Sequence, residues 1–366
     1  MEQQNIRPLT TMRIFAAFWV VLYDYWAFLI PGPLPAFIAK GYLGVELFFV
    51  LSGFIICHVY LQKFGEGRFS YRSFLWARLA RIYPLHIAIL AGLIVLVLGA
   101  AAEGLTLSGG MAQWGSIPGQ VLMLQAWGFT PEGGWNHPAW SISAEWFAYV
   151  TFPLTAWVAW RLRNRPGLAL GLAAVAVVAF NLIYGWATGG ELTRATITGG
   201  AIRIVPCFLL GSAVYLVWKA RPLASRRAAE LLTLGTVAAA AAATVLDAPD
   251  FLTVLIFGAL IYALAALTTA GSAWLTHKAG VYLGEVSFAV YMVCIPYQLI
   301  FMQAAKRVFG VGDVLPLPLW LALVGGVIPA AMLLHHAVER PARDIMRRWE
   351  RNGLLRPAWL PAKAAG

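Results

Sequence analysis

The sequence predicts an all-α polytopic integral membrane protein with about ten transmembrane helices and both termini in the cytoplasm. Hydrophobic residues make up 60% of its 366 residues and charged residues 12%, whereas a soluble domain has roughly 25% charged residues. The mean hydropathy is +0.72. Positive charges also concentrate in alternate connections between the apolar runs, as expected for the cytoplasmic side of a membrane protein.

The apolar runs are separated by Pro, Gly and charged residues, and each approaches the roughly 20 residues that cross a bilayer as a helix. The first run is expected to remain as a helix, because Asp24 interrupts it and no small-residue cleavage site follows it. We expect one membrane-embedded domain over 1–345 and a basic cytoplasmic tail over 346–366. The predicted spans are 10–30, 41–62, 82–102, 141–161, 166–187, 198–218, 228–246, 251–270, 280–305 and 317–338.

Basic connections mark the ends of several spans and indicate which side of the membrane each connection faces. The segments 63–81, 161–165 and 219–227 follow the second, fourth and sixth runs, and the basic stretch 340–363 follows the tenth. With the N-terminus in the cytoplasm, the inner connections hold 21 Lys or Arg residues and the outer ones four, which agrees with the positive-inside rule. The net charge of +11 and the pI near 9.8 therefore indicate contact with anionic membrane lipid and argue against nucleic acid as a partner.

The longest polar connection, 103–139, lies on the outer side and contains no Lys or Arg. Loops of this length are usually functional or disordered, and the tryptophans of this one favour an ordered loop. We expect a short helix at 117–127 that dips into the membrane interface.

Several ionisable side chains lie inside predicted spans, where a charge is expensive unless it has a partner or faces a wet cavity. Glu46 interrupts the apolar run GVELFFVLSGF at 44–54, and Arg203 needs a carboxylate or an anionic ligand. Arg13 and Asp24 are eleven residues apart on the first helix, so they share one face about 16 Å apart. Arg13 can alternatively be a positive-inside anchor, and Asp24 the partner of a polar group on another helix.

Two further groups of polar side chains stand at span ends. Arg78 and Arg81 share a face before the third span, where they either bind phosphate groups from the cytoplasm or serve as positive-inside anchors. In the segment WSISAE at 140–145, Ser141 is a candidate helix cap, and Glu145 falls one turn into the membrane.

Other features indicate structure rather than chemistry. We interpret ERP at 339–341 as an ion pair at a helix end followed by a Pro stop. His335 and His336 are adjacent at a helix end and the other histidines are scattered, so we expect no metal site. The three cysteines lie in apolar runs, which argues against a disulfide framework. Motifs of soluble catalysts, such as HExxH or a Walker loop, do not occur.

Taken together, the charged segments resemble the motifs of the bacterial acyltransferase 3 family of integral membrane O-acyltransferases. The resemblance extends over nearly the whole chain in the order of the family, and its second motif is highly specific. The similar segments are MRIFAAFWVVLY at 12–23, GVELFFVLSGF at 44–54, RLARIYP at 78–84, WSISAEWFAY at 140–149, Arg203 with PCFLLG at 206–211, SFAVY at 287–291 and ERP at 339–341.

This resemblance implies an enzyme of the bacterial cytoplasmic (inner) membrane. It would transfer an acyl group, usually acetyl, from cytoplasmic acyl-CoA (acetyl-CoA) to a hydroxyl of an extracytoplasmic saccharide, such as exopolysaccharide or lipopolysaccharide. By the same resemblance, Arg13, Arg78 and Arg81 would hold the donor phosphates. The residues expected to bind substrate are Glu46, Ser52, Trp140, Ser141 and Arg203.

The chain departs from the family pattern at two positions. Asp24 stands where the family has a His ten residues after its Arg, and Cys294 stands where many relatives carry a His before Ile-Pro. We expect Asp24, Glu145 and His137 to be the candidate catalytic residues, while an impaired enzyme stays an alternative. Cys294 as an acyl-carrying nucleophile is chemically possible, although a buried thiol is normally inert.

Two other functions remain compatible with the sequence. A glycolipid transporter or flippase would use the arginines to recognise phosphate without chemistry, but the matching broken helices typical of such transporters are not apparent. A non-catalytic relative with a role in assembly is kept open by the missing histidines.

Overall fold

The computed structural model describes residues 6–104, 112–129 and 133–352, and all regular secondary structure in these ranges is helical. The predicted all-α class is therefore confirmed for the described residues. A π-helical segment, His335–Glu339, joins the last two α-helices. The α-helices are α1 (Arg7–Tyr25), α2 (Ala36–Ala39), α3 (Gly44–Gly65), α4 (Tyr71–Ala102), α5 (Ile117–Val121), α6 (Ala139–Val150), α7 (Phe152–Leu162), α8 (Pro166–Thr188), α9 (Gly200–Ala220), α10 (Arg226–Val245), α11 (Asp250–Thr269), α12 (Lys278–Phe309), α13 (Leu317–Leu334) and α14 (Arg340–Arg351).

Eight helical segments of the described chain are long and apolar enough to cross a membrane. Each predicted span coincides with a helix or with consecutive helices, but the number ten and the cytoplasmic placement of both termini stay predictions. The first predicted span, α1, carries Arg13 and Asp24. The fourth is divided at Thr151 into α6 and α7, because Pro153 in the first turn of α7 has no backbone N–H to continue the helical ladder.

Glycines bring α3 and α9 into backbone contact at the centre of the bundle. A Cβ at Gly53 would lie 2.1 Å from the Phe208 carbonyl oxygen, and one at Gly211 would lie 1.8 Å from the Val50 carbonyl oxygen. Small residues permit this close approach between membrane helices. The contact fixes the two helices relative to each other and sets their charged residues face to face.

The α1 helix packs against α3 on one side and α12 on the other. A Cβ at Gly44 of α3 would lie 2.6 Å from the Ala16 carbonyl oxygen, and one at Gly284 of α12 would lie 1.9 Å from the Thr10 carbonyl oxygen. Since α1 is held on both sides, the positions of its charged residues are well determined.

The outer loop between α4 and α6 is tied to α6. A short helix forms over Ile117–Val121, whereas residues 122–127 of the predicted helix lie mainly in turns; the dip into the membrane interface stays a prediction. The Ser143 hydroxyl donates to the Met123 carbonyl at 2.7 Å and accepts from the Ala126 amide at 3.0 Å. These bonds hold the described part of the loop over the bundle.

The last span does not end at Pro341, so the predicted Pro stop is wrong. Pro341 occupies the first turn of α14, where its missing N–H removes no helical hydrogen bond. The chain stays helical through the π-helical segment to Arg351. The tail predicted from residue 346 therefore starts within α14, and its remainder, 353–366, lies outside the described residues.

Candidate functional site

A cavity of about 640 Å³ lies among α1, α3, α4, α6, α12 and the segment leading into α14. We name it the inner cavity, because it lies at the end of the bundle predicted to face the cytoplasm. Its most frequent charged group is guanidinium. The lining arginines of the described chain are Arg13, Arg78, Arg81, Arg340, Arg343 and Arg347.

The structure brings Arg13, Arg78 and Arg81 together in the inner cavity, while their role in binding stays a prediction. Sequence reasoning missed the arginines of α14, because it ended the helix at Pro341. The signal was present in their spacing of three and four residues, which places side chains on one helix face.

Arg78 lies between two tyrosines. Its guanidinium carbon is 5.6 Å from the ring centre of Tyr60 and 5.9 Å from that of Tyr149, and its Nη2 donates to the Tyr60 hydroxyl at 3.5 Å. The Arg78 Nε is buried and has no hydrogen-bond partner among the described residues. Because buried donors are normally paired, this Nε fits an anionic oxygen, such as that of a phosphate bound in the cavity.

Glu145 lies in the same cavity and accepts two hydroxyl hydrogen bonds at Oε1. The Ser52 hydroxyl of α3 donates at 3.0 Å, and the Tyr149 hydroxyl donates from one turn further along α6. The predicted catalytic Glu145 and the predicted substrate-binding Ser52 are therefore in direct contact, although they lie on different helices.

Glu46 and Arg203 form a buried ion pair across α3 and α9, with exposed side-chain fractions of 0% and 2%. Arg203 Nε and Nη2 both donate to the carboxylate, the latter at 2.8 Å, and Nη1 donates to the Ala195 carbonyl at 2.9 Å. The Arg203 guanidinium carbon also lies 4.6 Å from the ring centre of Trp140. The predicted need of Arg203 for a carboxylate or an anionic ligand is thus met by Glu46, which itself lines neither cavity.

A second cavity, of about 210 Å³, lies at the opposite end of α1 from Arg13. We name it the outer cavity. The predicted residues Asp24, His137, Trp140 and Arg203 line it, together with Tyr23, Tyr42, Thr193 and Arg194.

A polar network supports the wall of the outer cavity. The Asp250 carboxylate, at the start of α11, accepts from Lys40 Nζ at 2.8 Å, from the Tyr42 hydroxyl at 2.7 Å and from the Thr193 hydroxyl at 2.5 Å. Arg194 stacks on Tyr42, with its guanidinium carbon 4.3 Å from the ring centre. These contacts join three connections that are distant in sequence.

Asp24 and His137 are the two candidate proton acceptors of the outer cavity. Within the described part of the chain, the Asp24 carboxylate makes no hydrogen bond or ion pair. The alternative interpretation, in which Asp24 is the partner of a polar group on another helix, is therefore not observed there. Burial, and secondarily the charge of Arg203, lowers the pKa of His137 below its usual value of 6.5. The His137 imidazole is therefore neutral at pH 7.

Val45 and Tyr291 line both cavities and form the partition between them. Both side chains are buried. The Tyr291 hydroxyl donates to the Pro138 carbonyl at 3.2 Å, directly after His137 in the chain. The partition is therefore attached to the segment that begins α6.

Two other predicted residues have structural contacts. Ser141 lines the inner cavity, but the prediction of a helix cap is wrong: α6 begins at Ala139, and the Ser141 hydroxyl donates back to the Pro138 carbonyl at 3.0 Å. Cys294 is fully buried and lines neither cavity, and its thiol donates to the Tyr291 carbonyl at 3.1 Å.

The π-helical segment also places polar groups at the inner cavity. His335 Nδ1 lies 2.8 Å from Glu339 Oε2, and the other oxygen of Glu339 lies 3.5 Å from Arg343. Glu339 thus contacts His335 and Arg343 rather than the adjacent Arg340, in contrast to the predicted pairing. In the described residues, no group of three or more His, Cys, Asp or Glu side chains is arranged to hold a metal ion.

The fold and the cavities define a multi-pass helical membrane protein in which a guanidinium-rich cavity and an outer cavity share Val45 and Tyr291 as their partition. Comparison with known proteins identifies its family. The acyltransferase 3 family, described as an acyltransferase domain, matches residues 8–336. The chain belongs to this family of acyltransferase enzymes.

Two curated relatives match shorter stretches. Acyltransferase MdmB of Streptomyces mycarofaciens is 39% identical over 118 residues, which cover 31% of this chain and 28% of the relative. Protein 2 in the picA locus of Rhizobium radiobacter is 51% identical over 53 residues, covering 14% of this chain and 28% of the relative. The matched stretches thus span less than a third of either relative. No solved structure matches the chain.

Proposed function

We propose that the protein is an O-acyltransferase of the bacterial inner membrane. It moves an acyl group, acetyl in the simplest case, from cytoplasmic acyl-CoA to a hydroxyl of an extracytoplasmic glycan. The observation that carries the proposal is the pair of cavities with different chemistry that share only the partition of Val45 and Tyr291. One cavity suits an anionic donor and the other a neutral acceptor.

The inner cavity fits the donor by charge, by size and by position. Its arginines complement phosphate groups, and Arg78 has a buried Nε with no described partner. Its volume of about 640 Å³ lies within the usual range of ligand sites. By the positive-inside rule, the basic connections at this end of the bundle support a cytoplasmic position for the inner cavity and for both termini.

The outer cavity fits a saccharide hydroxyl. Its walls combine aromatic side chains with polar groups that can orient a small organic ligand. Asp24 lies about 16 Å from Arg13 along α1, so the pantetheine arm of a donor held by the arginines has to extend to the partition. The thioester then reaches the acceptor while the nucleotide stays in the inner cavity.

In the proposed reaction, the acceptor oxygen attacks the thioester carbonyl carbon. The new C–O bond forms as the C–S bond breaks, and the Asp24 carboxylate takes the hydroxyl proton. That proton then passes to the departing thiolate, which leaves as the CoA thiol and restores Asp24. His137 is the competing proton acceptor in the same cavity, and Glu145, with Ser52 and Tyr149, lies on the donor side.

The test compares Asp24→Asn with the wild-type protein, purified as the full chain and given labelled acetyl-CoA and a saccharide acceptor. We expect thiol release that requires the acceptor, and a loss of about 10²- to 10⁴-fold in Asp24→Asn, the usual contribution of a general base. Donor affinity should be unchanged, because Asp24 does not line the inner cavity.

A matched variant, His137→Gln, distinguishes the two acceptors of the proton. If it abolishes transfer and Asp24→Asn does not, the base has been misassigned. Donor binding without thiol release, and no change of O-acetyl content in surface glycans when the protein is deleted, would favour the transporter or the non-catalytic relative over the enzyme.

A further inference from the structure

The arginines of α14 form one continuous basic face. Arg340, Arg343 and Arg347 are spaced by three and four residues, so their side chains follow each other along one side of the helix. All three line the inner cavity. Arg340 and Arg347 are exposed, and Arg343 between them is partly buried. Arg347 is the furthest of the three from the apolar helix α13 along the chain, so we assign it to the mouth of the cavity.

The α4 helix runs antiparallel to α14 and presents its own arginines to that face. The Ser73 hydroxyl donates to Glu350, and Trp76 Nε1 donates to the Met346 carbonyl at 2.8 Å. Moving forward along α4 therefore corresponds to moving backward along α14. In this register, Arg78 and Arg81 lie opposite the arginines of α14.

The charges of the inner cavity do not balance within the described chain. Two carboxylates, Glu145 and Glu285, line it against six arginines. Glu339 contacts Arg343 at 3.5 Å, but it is also engaged by His335. Guanidinium groups gathered at one place repel one another and require an anionic partner.

The opposite face of α14 indicates which partner this is. Ile345 and Trp349 lie two residues beyond Arg343 and Arg347, hence about 200° around the helix, and are 40% and 46% exposed. An exposed Trp is typical of the membrane–water interface, and the exposed Ile beside it is apolar. The helix therefore turns its apolar side outward and its basic side into the cavity, which favours an anion from solution over a lipid headgroup.

We propose that Arg343 and Arg347 bind the 3′-phosphate of the CoA donor and that Arg78 and Arg81 bind its pyrophosphate. This inference rests on the proposed function. The thioester has to reach the partition, so the adenosine end of the donor lies at the mouth, where Arg347 stands. A phosphomonoester carries about −1.5 to −2 charges and matches two guanidinium groups. The α14 face thereby selects CoA over thiols that lack the 3′-phosphate.

The experiment measures binding of CoA and of 3′-dephospho-CoA by calorimetry, with the full chain in nanodiscs of neutral lipid. We expect the wild-type protein to bind CoA at least about 10-fold more tightly, since hydrogen bonds to charged groups have this magnitude. The double variant Arg343→Gln with Arg347→Gln should lose this preference through weaker CoA binding, with 3′-dephospho-CoA unchanged. Arg348→Gln, on the exposed side of α14 and outside the cavity lining, is the matched control.

Equal weakening of both ligands, or a preference that persists in the double variant, overturns the inference. So does a defect that appears only when anionic lipid is added to the nanodiscs, because the arginines would then bind lipid. Acetyl transfer is measured in parallel. A binding preference without any transfer contradicts the proposed function alone, whereas transfer without a preference contradicts the 3′-phosphate site alone.

Discussion

Replacing Glu46 with Gln should destabilise the bundle strongly, because it leaves the Arg203 guanidinium buried without its carboxylate. Arg203 is 2% exposed and donates two of its hydrogen bonds to Glu46. Its bond to the Ala195 carbonyl and its stacking on Trp140 persist in the variant and do not replace the lost charge. Breaking a buried pair on one side costs about 3–5 kcal/mol, which is a large part of the stability of a typical domain.

Removing the charges of both Glu46 and Arg203 should lower the stability less than removing the charge of Glu46 alone. In the double variant Glu46→Gln with Arg203→Met, no uncompensated charge remains, and neutral replacements of buried pairs are often tolerated. The matched control is Glu191→Gln, which breaks the pair with Arg194. That pair is 2.8 Å long with both side chains more than half exposed, so its loss should cost about 1 kcal/mol or less.

The assay is thermal unfolding of the full chain in one detergent at one scan rate, with the inactivation half-life as a second measure because unfolding of such proteins is commonly irreversible. The expected order of stability is wild type, then Glu191→Gln, then the double variant, then Glu46→Gln. If Glu46→Gln is as stable as the surface control, or the double variant is the least stable of all, the carboxylate is not what makes the buried guanidinium tolerable.

Three further outcomes follow from the partition, the helix contact and the outer cavity. Tyr291→Ala should open the partition and raise acceptor-independent thioester hydrolysis, measured as thiol release, whereas Tyr291→Phe should keep the wall and lose only one hydrogen bond. Gly211→Val should abolish accumulation of folded protein, since a Cβ there lies 1.8 Å from a carbonyl oxygen of α3, while Gly235→Ala, with nothing within 4 Å, should fold normally; equal yields would contradict the backbone contact. Because the pKa of His137 is lowered from 6.5 by burial and then by a nearby guanidinium, its contribution to stability is complete above about pH 6.5 and is lost as the pH falls below it. His137→Gln should flatten the stability curve in that range, and an unchanged curve would show that this imidazole does not titrate there.

Much of the site could be predicted from the sequence because charge inside an apolar run is expensive and therefore needs a partner or a cavity. This reasoning correctly marked Arg203 as requiring a counter-charge, and it placed Arg13 and Asp24 at opposite ends of one helix face. It could not identify Glu46 as the partner of Arg203. That pairing depends on the close approach of α3 and α9, which is a tertiary contact.

The remaining errors have local causes. Pro341 indicated a helix end, but proline is equally compatible with the first turn of a new helix. Because the helix was ended there, the arginines of α14 were not recognised as part of the site. Ser141 is a good capping residue by type, yet Asn136 and Pro138 begin the turn earlier and shift the helix start. The division into two cavities could not be predicted, since the partition consists of Val45 and Tyr291, two residues with no unusual local pattern.

The partition between the two cavities has a consequence for a membrane that carries an ion gradient and an electrical potential. Val45 and Tyr291 are buried and line both cavities, so we expect the partition to block the passage of hydrated protons and sodium ions. In the proposed reaction, an uncharged acetyl group crosses the partition by exchange of a C–S bond for a C–O bond, and the highly charged donor stays on the inner side. If the proposed function holds, export of the acetyl group requires no alternating-access transition, and the protein modifies the cell exterior without dissipating the membrane potential.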